Sequence, residues 1–400
     1  MKKILHCDAN NFYASVEVML DSSLNGKPVA VSGNIEKRHG IILAKNYIAK
    51  QFGVSTGEAI WEAKLKCPNL VCVLPHMEEY NRISKQIFNI YTEYTDRVEP
   101  FGIDECWLDV TNSQKLFGDA TTIANTIRER VKAEIGITIS VGVSFTKIFA
   151  KLGSDLKKPD ATTVIDENNY KTLAWALPVS DLLMVGKKTL AVFNKLNIKT
   201  IGDLANYDDG VLSYHLGING KKLKNYANGI EDEDVKFCYQ WKVPDSVGHS
   251  TTLPKDITQD DEVKSVLMAL SEMIATRLRK YGLRAKGITL GVKTNDLNTL
   301  ARQKKLDSYI SNSTDIFNLA FSIYKENCLK HATLPIRALS ISTHDLNFSF
   351  ESTQTNMFGD NSAKKDNLEV SIDKIRNKYG YSCVKKGIVM QHKDLTEDLQ

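Results

Sequence analysis

The sequence predicts a multidomain α+β protein, and three observations carry that prediction. Strand-like and helix-like runs alternate over residues 1–165 of the 400. From about residue 166 the pattern turns helical, and after an acidic stretch at 231–234 a second α+β unit runs from about 243 to 347. A chain of this length has room for two or three domains with substantial cores.

Residues 3–7 read as a buried strand ending at Asp8; Asn10 and Asn11 break it, and residues 12–17 turn helical. The stretch to about residue 74, with its short runs at 40–44 and 46–50, looks like an inserted lobe. A long helix follows, on which Tyr80, Ile83, Ile87, Ile90 and Tyr94 recur three and four apart. Pro100, Phe101 and Gly102 supply turn chemistry before a strand over 105–110, so Asp104 and Glu105 lie where a hairpin begins. A second helix (Ile123, Ile127, Val131, Ile135), a strand over 137–141 and a helix ending near Lys158 and Pro159 complete a sandwich with its helices on one face.

Further on, residues 182–189, Phe193, Leu196 and the run 201–204 read as helix, glycine turn at Gly186, helix. Such a hairpin can offer N–H groups at a helix start to a phosphate, although a plain helical hairpin has the same spacing. The acidic stretch 231–234 reads as a linker. In the unit beyond it, a helix over 263–280 leads into strands at 287–292 and 339–343. There Arg277, Arg279, Lys280, Arg284, Lys286, Lys293, Arg302, Lys304 and Lys305 stand against Asp296 alone. That excess is what a phosphate-backbone contact requires; a solvated basic face is the plainer alternative. Residues 351–367 read as a flexible tether holding Met357 and Phe358, which nothing local can bury. A short helix with Leu368, Ile372, Ile375 and Tyr379 follows, stopped by Gly380.

Three carboxylates stand out chemically: Asp8 at a strand's mouth and the pair Asp104, Glu105 at the hairpin. Adjacent residues of a flat strand face opposite ways, so both members of the pair reach one site only if the chain bends, which Gly102 permits. Each taken alone also reads as a solvated turn residue. Together, as oxygen donors with no convergent Cys or His set, they favour Mg²⁺ or Mn²⁺ over Zn²⁺. The seven cysteines are scattered and form no Cys-x-x-Cys pair, which points to reduced thiols and a cytoplasmic location. No apolar run approaches bilayer length, so no membrane partner is expected, and a net charge of +4 names no partner by itself.

Taken together, the segments 8–17 (DANNFYASVE), Asn46 with Tyr47, 103–109 (IDECWLD), 149–151 with Lys158 and Pro159, and 250–254 (STTLP) resemble the Y-family translesion DNA polymerases, in order and over nearly the whole chain. The resemblance implies a right-hand polymerase. Its parts would be a ferredoxin-like palm (1–10 and 75–165), small fingers (11–74), a helical thumb with a helix-hairpin-helix (166–234), an α+β little finger (241–347) and a flexible tail (348–400). It implies error-prone synthesis past damaged bases, without proofreading, from dNTP on primer-template DNA. Asp8, Asp104 and Glu105 would then be the catalytic ligands of two Mg²⁺ ions, with the carbonyl of Ala9 helping the second. Tyr13 falls at the steric gate that excludes a 2′-hydroxyl. Asn11, Phe12, Tyr47, Lys50 and Lys158 fall at the incoming nucleotide. Gly186, Lys187 and Thr189 in the thumb, with Arg284, Lys286, Arg302 and Lys304 in the little finger, would meet DNA. Gln354, Met357 and Phe358 look like a peptide that docks on the sliding clamp.

The second position of the clamp peptide, Thr355, is usually apolar in the family, and three further positions depart from the family pattern. Lys50 stands where many members carry arginine, which gives a point charge in place of a two-pronged fork; Ala44 replaces a hydroxyl residue; and Met184 occupies a glycine-favoured place in the thumb. Two other classes compete. A nucleotidyl cyclase shares paired acids on a comparable sheet but needs no basic downstream domain, and a non-catalytic DNA-binding scaffold needs neither three carboxylates nor an aromatic gate.

Overall fold

A computed structural model describes residues 2–34, 40–240, 243–328, 335–348 and 362–397. The chain divides into two units, one of Met1–Gly33 and Ile41–Trp241, the other built on Lys242–Gln400.

In the first unit β1 (Ile4–Ala9) is buried at every position and leads into α1 (Phe12–Leu20). A small lobe follows, made of β2 (Val29–Ser32), β3 (Ile42–Lys45), α2 (Tyr47–Gln51), α3 (Ile60–Lys66) and β4 (Val71–Val73), with its own core around Ala30, Ile42, Ala49 and Ile60. The chain returns through α4 (Met77–Thr92), which buries Tyr80, Ile83, Ile87 and Ile90 along one stripe. Then come β5 (Val98–Pro100), β6 (Glu105–Asp109), α5 (Gln114–Phe117), α6 (Ala120–Ile135), β7 (Ile139–Ser144), α7 (Lys147–Leu156) and β8 (Thr162–Ile165). They complete a sheet in the order β5-β6-β1-β7-β8, with β1 at its centre.

Alternation along β1 divides its side chains between two layers. Leu5, Cys7 and Ala9 enter the core shared with Ile83 and Ile87 of α4 and Ile123 and Ile127 of α6. His6 and Asp8 face the opposite side, against Ser154 and Lys151 of α7. Helices therefore cover both faces of the sheet, not one. The reason lies in α7 itself, whose Ile148, Phe149 and Leu152 pack into the helical region that follows, while Lys151, Ser154 and Asp155 turn toward the acids. Gly142 of β7 makes that approach possible, since a Cβ there would stand 1.8 Å from the carbonyl oxygen of Ala150.

The helical region comprises α8 (Tyr170–Leu173), α9 (Lys187–Lys195), α10 (Ile201–Ala205), α11 (Asp209–Leu216) and α12 (Ile218–Ala227), around Phe193, Ile201, Leu204, Leu212 and Leu223. The helix expected just before Gly186 is absent. Residues 182–186 form an irregular turn in which Leu182 is buried and Met184 is held at a φ of 72°, so the apolar run anchors a turn instead of a helix face. That positive φ is the reason glycine is favoured at this place. The acidic stretch is not a free linker either. The Glu231 carboxylate accepts the Lys147 N–H at 2.7 Å in the first turn of α7, and Val235 is buried.

The second unit contains β9 (Ser246–Ile257), α13 (Asp260–Lys280), β10 (Leu283–Thr294), β11 (Thr299–Ile310), α14 (Ser313–Ile323), β12 (Ile336–Phe348), α15 (Ser362–Tyr379), α16 (Gly387–Met390) and α17 (Lys393–Thr396). Its antiparallel sheet has the order β11-β10-β12-β9, and residues of α13 and α14 bury one face of it. The short helix expected to end at Tyr379 before Gly380 is present as the latter part of α15, and the residues that follow it pack onto this unit. Val389 and Leu395 join the core of this unit, and Arg279 of α13 binds Asp373 at 2.6 Å and Glu369. Arg376 reaches Glu272 at 3.0 Å, with both side chains buried. These pairings are charge contacts at long range in sequence, which an apolar periodicity does not reveal. Gln354, Met357 and Phe358 lie outside the described residues.

Breaking a buried ion pair from one side leaves the other charge stranded at a cost of about 3–5 kcal/mol. Arg376→Ala is therefore expected to lower the unfolding midpoint of the intact chain. An unchanged midpoint would mean that Glu272 finds solvent when its partner is gone.

Candidate active site

Register brings two of the acids together. Asp8 pairs directly with Glu105 across β1 and β6, and cross-strand partners project from the same face of the sheet. Asp104 escapes strand alternation because residues 102–104 form a bend, with Gly102 at a φ of 118°, and β6 begins only at Glu105. The Asp104 carbonyl accepts the Ala9 N–H at 3.0 Å, which fixes the bend against the end of β1. Asp8, Ala9, Asn11, Phe12, Tyr13, Asp104, Glu105 and Lys158 line one cleft of about 390 Å³, together with Ala44 and Lys151.

The charge balance of the cleft is uneven. Lys151 Nζ lies 3.1 Å from Asp8 and 2.9 Å from Glu105, and Lys158 Nζ lies 2.8 Å from Asp8. Burial would lower the pKa of both lysines, but the surrounding carboxylates raise it. Burial likewise pushes Glu105 up, yet the Lys151 ammonium beside it holds it below the usual carboxylate range. Asp104 goes the other way: burial, then the negative charges of Glu105 and Asp8, push it up to about 6. A carboxyl raised by its acidic neighbours marks a place where positive charge is wanted. Among the described residues, the group whose ligand atoms lie within 4.8 Å of one another is His6, Asp8 and Glu105, with Asp104 lining the same cleft outside that group; these acids offer the oxygen donors a divalent cation takes.

Lys158 is held in place from behind. Asn10 is buried, donates to Ser140 Oγ at 2.9 Å and accepts the Asp160 N–H at 2.9 Å, tying the 158–160 turn to the end of β1. Asp160 in turn binds Arg128 and Lys132 of α6, each at 3.0 Å.

Tyr13 stacks on Tyr80 with ring centroids 4.3 Å apart and planes 12° from parallel. The Tyr80 hydroxyl donates to the buried Glu17 carboxylate, which His76 Nδ1 also approaches at 3.0 Å. Phe12 also lines the cleft, but its ring is buried with the centroid 6.2 Å from that of Tyr80. Tyr47, half-buried at the start of α2, feels the charges of Lys158 and Asp8, whereas Lys50 is exposed with Nζ 5.8 Å from the Tyr47 ring. Asn46 caps α2 by accepting the Ala49 N–H at 3.0 Å.

The expected nucleic-acid residues are less convergent. Gly186 caps α9, with Lys187 exposed and Thr189 partly buried in its first turn. Arg284 and Lys286 alternate with the buried Leu283 and Ala285, so they lie on the face of the sheet away from the helices. Arg302 and Lys304 pair with the buried Leu290 and Ile288 and therefore stand on the helix side of the exposed edge strand, where Lys304 reaches Glu326 at 3.2 Å. Arg277 and Arg279 are not part of an open basic face: Arg277 binds His249 and the Gly248 carbonyl, and Arg279 binds the acids of α15.

One group was missed in the sequence. His6 is wholly buried beside Glu105, with Nε2 3.3 Å from its carboxylate, so a histidine does converge on the acids. Burial lowers its pKa, against the pull of Glu105. Its place two residues before Asp8 in one strand was the available signal, because period two puts both on one face.

Residues 7–155 match the model of the impB/mucB/samB family, and residues 244–357 match that of the impB/mucB/samB family C-terminal domain. A protein of Acetivibrio thermocellus named DNA polymerase IV is 46% identical over 398 residues, covering 98% of each chain. One of the same name from Clostridium acetobutylicum is 33% identical over 400 residues, covering 98% of this chain and 99% of its own. Among solved structures, a chimeric Y-family DNA polymerase superposes with a TM-score of 0.78 at 24% identity, over 86% of this chain and 99% of that one.

Proposed function

This chain belongs to the impB/mucB/samB family of Y-family DNA polymerases, and from that membership we propose that its acidic cleft is the site at which a primer 3′-hydroxyl is joined to a dNTP opposite a damaged template base. It is a DNA-directed DNA polymerase, and its role is translesion synthesis. The observation that carries the site assignment is the direct pairing of Asp8 with Glu105, with Asp104 released by the bend into the same cleft.

In this reading Asp8, Asp104, Glu105 and the Ala9 carbonyl hold two Mg²⁺ ions, with Mn²⁺ able to substitute. Bound there, the ions would supply activation of the primer hydroxyl and charge neutralisation at the departing pyrophosphate. The chain's own residues position and neutralise. Lys158, fixed through Asn10, meets the triphosphate with Tyr47 and Lys50; Asn11 and Phe12 border the nucleotide; and Tyr13, braced by Tyr80, closes the floor beneath the sugar. Domain roles follow the same reading: palm at 1–10 and 75–165, fingers at 11–74, thumb at 166–234, little finger at 241–347. Gly186, Lys187 and Thr189 grip one stretch of backbone, and Arg284 and Lys286 another. Arg302 and Lys304 track phosphate from the sheet edge.

Primer extension on undamaged and damaged templates, with and without Mg²⁺, tests this reading. Extension of both templates only with the ion supports it, and a folded chain that binds DNA without extending it would leave the scaffold.

Residues 354–358 dock on the sliding clamp in the same reading, Met357 and Phe358 filling an apolar pocket and Gln354 supplying the polar contact. Tethering of this kind raises effective concentration without touching chemistry. Deleting 354–358 is expected to abolish stimulation by the clamp while leaving synthesis without the clamp intact. Undiminished stimulation would refute the assignment.

No helix among the described residues is long and apolar enough to cross a membrane.

A further inference from the structure

We propose that His6, Asp8 and Glu105 form a site for one borderline transition-metal ion, Zn²⁺ in type, whose binding withdraws two carboxylates from synthesis. One ligand atom from each of the three lies within 4.8 Å of the others. The 3.3 Å between His6 Nε2 and Glu105 is already the edge length of a tetrahedron with bonds of about 2.0–2.1 Å.

The imidazole is oriented as a metal ligand would be. His6 Nδ1 lies 2.8 Å from Ser154 Oγ, and that hydroxyl donates its proton to the Lys151 carbonyl at 2.7 Å. A hydroxyl has one proton to give, so Nδ1–H must be the donor to Ser154. In the neutral ring Nε2 then carries its lone pair, fully buried, toward the acids, and it makes no hydrogen bond of acceptable geometry. Metal-bound histidines are held in the same way, by a hydrogen bond from the other ring nitrogen.

The donor set decides which ion. One imidazole nitrogen beside two carboxylates, with room for water from the cleft, resembles an open zinc site more than a magnesium site. The cation now between the acids is the Lys151 ammonium, and Asp155, 3.5 Å from it, can receive it when a metal enters. Synthesis with Mg²⁺ requires no nitrogen donor. The inhibitory consequence rests on the assignment of Asp8 and Glu105 to synthesis, whereas binding itself does not.

The test titrates the full chain, without DNA and in excess Mg²⁺, with Co²⁺ as an optical probe and then Zn²⁺ as competitor. The expected result is one Co²⁺ per chain with the intense visible bands of low coordination number, displaced by Zn²⁺. His6→Gln and Asp8→Asn, each checked for folding by circular dichroism, should weaken binding at least about tenfold. A wild-type chain without that band, or folded variants that bind Co²⁺ as tightly as wild type, would overturn the inference. Mg²⁺-dependent extension is measured on the same preparation. If it persists while Co²⁺ binding fails, only the inference falls; if extension fails too, the carboxylate assignment falls with it.

Discussion

Asp104→Ala is expected to bind primer-template as the unaltered chain does and to extend it slower by at least about 10²–10³-fold, the usual cost of removing one preorganised charge-stabilising group. The side chain lines the cleft, while its fold-supporting contact, the carbonyl that accepts from Ala9, is backbone and survives the substitution. Its carboxyl is pushed up to about 6 by burial and by Glu105 and Asp8, so losing it relieves repulsion in the free protein. Stability should therefore hold while catalysis collapses. Rapid-quench extension alongside fluorescence anisotropy of labelled DNA separates the two. Extension at an ordinary rate would remove Asp104 from the chemistry.

Tyr13→Ala is expected to admit ribonucleotides, with discrimination against the 2′-hydroxyl falling by on the order of 10–10²-fold, the range a steric contact of about 1–3 kcal/mol supplies. The argument is geometric. Tyr13 cannot swing freely, because it stacks 4.3 Å from Tyr80 and Tyr80 is held by the buried Glu17. A ring held by stacking on a fixed neighbour excludes by volume, and truncation to alanine opens that volume without removing a carboxylate. Competing incorporation of dNTP and rNTP opposite one template base reads the effect. An unchanged preference would place the gate at another side chain.

Much of this was legible in the sequence because it depended on local chemistry. The break after Asp8, the turn at Gly102 and the stripe Tyr80, Ile83, Ile87, Ile90 all follow from period and turn residues, and all are present. What was not legible depended on partners far away in the chain. The period of α7 could not say that its polar side would lie on the sheet, since only the absence of a side chain at Gly142 permits that. Nor could the basic run from Arg277 reveal that Arg279 answers to acids on α15. His6 was overlooked because a lone histidine in an apolar strand reads as core until its cross-strand neighbours are known.

The central place of β1 also shapes how the chain is made. Both edges of this strand pair with segments translated much later, β6 and β7, so β1 leaves the ribosome with apolar residues and two unpaired edges. At ordinary translation speeds that exposure lasts on the order of ten seconds. Only when residue 144 has emerged can the strand close on both sides, so until then β1 offers two open edges to any other strand.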